Sequence, residues 1–112
     1  MSKRKPRYFI PSTARANKKT TYQILFDPEL NNEIDDQGRR THGYTDAIKK
    51  IIVINSMLSK KLQYQAFIHE YMHMRDYENP PRGKKKDFHF KHKDIYRFEK
   101  FTFEFLIEMG LI

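Results

Sequence analysis

The stretch AFIHEYMHMR (residues 66–75) constrains the chain more than any other. Phe67, Ile68, Tyr71, Met72 and Met74 ask to be buried, yet His69, Glu70 and His73 sit among them. A buried polar group costs free energy unless it is partnered, so these three are either paired or at work. On a helix, residues i and i+4 stack on one face. His69 and His73 therefore present two imidazoles side by side, a grip suited to one tetrahedral Zn²⁺. Glu70 lies about 100° further round, poorly placed to ligate but within reach of a water on the metal. This is the HExxH arrangement, in which the metal acidifies the water and the glutamate takes its proton. An exposed helix with two idle histidines would carry Lys or Gln through 66–74, and none is there.

HExxH supplies two ligands, and a zinc site needs a third. The extended motif with a following Gly and His is absent, because Asp76 and Asn79 hold those positions. On a last helix, Glu99 shares a face with Ile95, Thr102, Phe103 and Leu106, an inward carboxylate that must be paired or metal-bound. Glu104 falls instead beside Arg97, Lys100 and Glu108, a solvated face. Glu99 is the first choice as third ligand. His92, seven residues earlier on the same face, is the alternative, and His89 a weaker one.

The rest of the sequence places this helix in an α+β domain. With 112 residues the chain has room for one domain, and 38% apolar and 14% aromatic residues are enough for a core. Residues 1–19, rich in cations, are expected to form a flexible basic arm, with a single domain over 20–112. TYQILF (21–26) reads as a strand ended by Asp27-Pro28, and 29–46 as a loop with one helical turn at its start. IIVIN (51–55) reads as a strand packed on both faces. Asn55, Ser56 and Ser59 offer caps for a helix to about Tyr77, buried on most sides. Pro80 and Pro81 stop it, and a final helix spans about Lys93 to Met109 with Gly110 as its C-terminal stop.

IIVINSML, AFIHEYMHM and YRFEKFTFEFL together resemble the small zincin-type metallopeptidases of the ImmA/IrrE-like group and their short phage-encoded relatives. GYTD (43–46) is similar to those short relatives too. The resemblance covers about residues 43–108 and implies a small sheet packed on the HExxH helix and a C-terminal helix. It also implies one zinc per chain, with His69, His73 and Glu99 as ligands and Glu70 as general base. SprT-like domains are a rival likeness, taking their third ligand from a histidine followed four residues later by an aromatic. His92 and Tyr96 have that spacing, with Lys93 where glycine is usual.

The expected function is hydrolysis of a peptide bond through a metal-bound water with Glu70 as general base. IIVIN would lie beside the helix and offer an exposed edge to an extended protein or peptide substrate. Tyr71, Tyr77, His42, His89 and His92 are candidates to steady the oxyanion. A net charge of +8 favours nucleic acid or another acidic partner. The alternative is thus a SprT-like or nucleic-acid-associated protein, with Lys3–Arg7 and Arg82–Lys86 as contacts and a zinc that serves DNA-linked proteolysis or is structural. A third reading is an interaction protein docking its basic arms on an acidic partner. The absence of cysteine, of a signal-peptide pattern and of a membrane span leads to the expectation of a cytoplasmic protein.

Overall fold

A computed structural model describes residues 8–110. Strands β1 (Thr13–Arg15), β2 (Thr21–Phe26), β3 (Gly43–Asp46) and β4 (Ile51–Ile54) precede helices α1 (Lys60–Glu78) and α2 (His92–Glu108). The sheet order is β1-β2-β4-β3, with β2 and β4 parallel and the two outer pairings antiparallel. The fold is α+β, a four-stranded sheet with two helices, as expected.

Alternation explains β2: Tyr22 and Ile24 are buried while Gln23, Leu25 and Phe26 face out. Together with Ile52 and Ile54 of β4, they pack on Ala66 and Met74 of α1. β4 is central, and its Val53 is buried as well as Ile52 and Ile54. It is therefore covered on both faces, but its expected free edge is not there. β2 and β3 occupy both edges of β4, so the open edge near α1 belongs to β3.

Two segments differ from the sequence-based expectation. Residues 8–19 are part of the fold, because Thr13–Arg15 pairs with β2 and the small side chains of Ala14 and Ala16 enter the core. Lys3–Arg7 lie outside the described residues. β3 lies within the expected loop 29–46. Its pairing with β4 and the turn 47–50, where Asp46 accepts from the backbone N–H groups of Ile48 and Lys49, define it. The expected helical turn is present as a 3₁₀ turn, Pro28–Asn32.

Helix α1 starts at Ser59, whose hydroxyl accepts from the Leu62 N–H. It is less apolar inside than expected. Leu62 is exposed, whereas Gln63, His69, Glu70, His73, Asp76 and Glu78 are buried. Each has a partner, as does every buried side-chain nitrogen and oxygen among the described residues. Glu78 accepts from Tyr22 Oη and Lys50 Nζ at 2.8 Å each and from Lys86 Nζ at 2.9 Å. Its backbone carbonyl accepts from Asn17. Carboxylate and carbonyl together thereby tie the C-terminal turn of α1 to the sheet and to three loops. The carboxylate engages Lys86, itself still exposed, and leaves Arg82, Lys84 and Lys85 as the other exposed cations of the basic loop.

Burial alone would raise the Glu78 pKa, but the hydrogen bonds from Lys50, Lys86 and Tyr22 outweigh it and hold the carboxyl below its usual 4.5. Its contribution is full above the unfolded value and drains away as pH falls through the lower, folded value. Glu78→Gln should cost about 1–3 kcal/mol and lower Tm by roughly 5–15 °C. It should also flatten the acid limb of a stability–pH curve recorded by circular dichroism.

Candidate metal centre

His69, Glu70 and His73 occupy the second half of α1, facing β3 and α2. All three are buried, at 9%, 8% and 8% exposure. The Nε2 atoms of His69 and His73 face each other at 3.2 Å. Two imidazoles on one tetrahedral zinc, each at about 2.0–2.1 Å, hold their nitrogens about 3.3 Å apart. The i,i+4 pair already has that spacing.

The start of α2 completes a group. His92, exposed at the first turn, stands with its ring 4.9 Å from that of His73 and 5.7 Å from that of His69. The ligating nitrogens of His69, His73 and His92 lie within 4.8 Å of one another. Glu99, buried on the inward face of α2 as its spacing predicts, takes a different place. Its Oε2 lies 2.8 Å from Nδ1 of His69. An ionised carboxylate only accepts, so Nδ1 carries the proton and the Nε2 lone pair is left for a cation. Three imidazoles with a carboxylate behind one of them is a donor set that zinc takes. The residues present fit the metal.

Charge is distributed to match. Burial, followed by the nearby His69 and His92, lowers the His73 pKa to about 4, so its imidazole is neutral at neutral pH. Burial pulls His69 down as well, but the Glu99 hydrogen bond and the charges of Glu70 and Glu99 outweigh it and raise the pKa. Glu70 is raised by burial against the opposing pull of His69 and of a hydrogen bond from Thr45.

β3 supports Glu70. The Thr45 hydroxyl lies 2.9 Å from Glu70 Oε1 and 3.1 Å from the Glu70 carbonyl oxygen. At Gly43 a Cβ would meet the Val53 carbonyl oxygen at 2.7 Å, so only glycine lets β3 pass this close to β4, while toward the Glu70 side chain that Cβ would make only ordinary contact. Glu70 Oε2 is 3.9 Å from His69 Nε2. Two cavities, of about 400 and 590 Å³, meet at Gly43, Glu70 and His92. The first adds Arg39, Arg40, His42 and Tyr96, and the second Thr45, His73, Phe88 and His89.

The family model of Peptidase M78, described as the IrrE N-terminal-like domain, matches residues 23–110. The chain belongs to this family. Comparisons with curated proteins and with solved structures return no match. An M78 domain is a zinc metallopeptidase-like domain, and the histidine cluster of this one could hold such a metal.

The sequence-predicted residues divide accordingly. His69, His73 and His92 come together, and Glu99 joins them through the other face of the His69 ring. Among the oxyanion candidates, His42, His89 and His92 line the two cavities. Tyr71 packs on Phe67 and lines a separate groove, and Tyr77 packs on Phe88. Sequence reasoning gave no role to Gly43 or Thr45. GYTD stood out only as a likeness, because the strand register that brings Thr45 to Glu70 leaves no mark in local pattern.

His92→Ala should weaken zinc binding at least about 100-fold in a titration calorimeter, leaving a two-imidazole site that fills only under zinc excess. Glu99→Gln should keep one zinc per chain and weaken it by about 10–100-fold, the usual effect of losing an outer hydrogen bond to a ligand.

Proposed function

We propose that this M78 domain is a zinc-dependent peptidase, with His69, His73 and His92 holding the metal and Glu70 acting as general base. The observation that carries the reading is the Glu70 carboxylate. It is buried, fixed at one oxygen by Thr45, and turned with the other toward the facing imidazoles at the junction of two cavities. Zinc, when bound, would acidify a water and polarise the scissile carbonyl.

The protein's own groups supply the rest. Glu70 accepts the water proton at the oxygen free of Thr45 and returns it to the leaving amine. Its raised pKa helps the second transfer, because a weakly acidic carboxyl holds the proton until the amine takes it. Glu99 keeps the His69 proton on Nδ1 and so fixes that ring's orientation. Tyr96, its ring 4.9 Å from that of His69, and His42 stand on the first cavity, where a donor to the oxyanion is needed. The free edge of β3 supports an extended peptide laid beside Gly43–Asp46, its side chains reaching alternately toward the cleft and solvent.

Glu70→Gln should retain zinc and lose at least 100-fold in cleavage of a mixed peptide library read by mass spectrometry. Thr45→Val should lose about tenfold in kcat with little change in KM, and Thr45→Ser should recover most of it. Undiminished cleavage by Glu70→Gln would refute the mechanism.

A further inference from the structure

Helix α2 has two apolar faces, and the peptidase reading uses one. Ile95, Glu99 and Phe103 turn inward against α1. Phe98, Phe101, Phe105 and Met109 turn outward and are 48%, 55%, 57% and 60% exposed. At 100° per residue these four fall within an arc of about 80°, one continuous stripe along three turns. Phe90 extends it, its ring 6.0 Å from that of Phe98 and itself 50% exposed. Scattered exposed apolar residues are ordinary, but a contiguous aromatic stripe marks a surface that is covered in use.

The charges beside the stripe say by what. Lys93, Arg97 and Lys100, with Asp94 in line with the stripe at the first turn, lie in the first half of α2, and Glu104 and Glu108 lie in the second. Arg97 and Glu108 border the same flank of the stripe, at its two ends. When two identical helices pack antiparallel, equal flanks meet and opposite ends coincide. Phe98 then meets Met109 of the other copy, Phe101 meets Phe105, and Arg97 meets Glu108, twice over by symmetry. In a parallel pairing opposite flanks meet, so Arg97 and Glu108 would face the Thr102 and Leu106 side of the other copy and find no opposite charge there.

We infer that the outer face of α2 is a self-association surface, pairing two copies of this chain antiparallel through Phe98, Phe101, Phe105 and Met109. The interface lies on the helix that carries His92 and Glu99, on the face away from α1. It stands independently of the peptidase reading.

Analytical ultracentrifugation tests it at about 0.15 M salt, where a Debye length near 8 Å screens the net charge of +8. Over roughly 5–200 µM chain, mass action should carry the mass from 13.6 kDa toward twice that value. Phe101→Glu should stay monomeric with unchanged helical circular dichroism. Arg97→Glu and Glu108→Arg should each weaken the dimer at least tenfold, and mixing these two variants should restore it, since every charge contact is then opposite in sign. A wild-type chain monomeric at 200 µM overturns the inference, and the stripe then serves a different protein. So does a dimer that Phe101→Glu leaves intact, or a mixture that fails to pair.

Discussion

The structure depends on one constraint: among the described residues the inner face of α1 buries more ionisable and amide groups than any other element, and all but His73, which meets His69, find a partner off the helix. Those partners come from nearly every other segment. Gln63 donates to the carbonyls of Ser56 and Leu58, Glu70 takes Thr45 of β3, and His69 takes Glu99 of α2. Asp76 accepts from the Phe90 N–H, and Glu78 gathers Tyr22, Lys50 and Lys86. The apolar core packed beside them, around Tyr22, Ile52, Ile54 and Met74, supplies the burial that gives these bonds their weight. In this chain a polar ladder fixes the order of the pieces, and the candidate centre is one rung of it.

That constraint explains how much the sequence reveals. Clear periodicity and stop signals made β2, β4, α1 and α2 legible to within a residue or two, because burial and capping act locally. Glu99 was legible as an inward carboxylate for the same reason. The hairpin partner β3 was not, since Gly43, Tyr44, Thr45 and Asp46 show no apolar alternation and owe their strand to pairing with β4. β1 was hidden by the cations around it, although Ala14 and Ala16 are what dock it. The burial of α1 was overstated, because Phe67, Tyr71 and Met72 are only half-covered while the polar residues between them go inside.

The third ligand shows where local reasoning stops. Periodicity puts His92 and Glu99 on one face of α2, so both approach His69. Which nitrogen of the ring each one meets depends on how α2 crosses α1. The crossing sets Glu99 against Nδ1 and brings His92 to the side where His73 lies. The carboxylate then meets one face of the His69 imidazole, and an exposed histidine at the first turn of α2 stands beside the other two rings. The chain thus carries the M78 fold with His92 and Tyr96 beside the proposed centre.

The central claim is this ligand set, and X-ray absorption at the zinc edge reads it directly in the purified protein. The account predicts one zinc per chain whose scattering shows three imidazoles and one light-atom ligand, falling to two imidazoles in His92→Ala under zinc excess. Two imidazoles with a protein carboxylate in the wild type, its imidazole count untouched by His92→Ala, would contradict it.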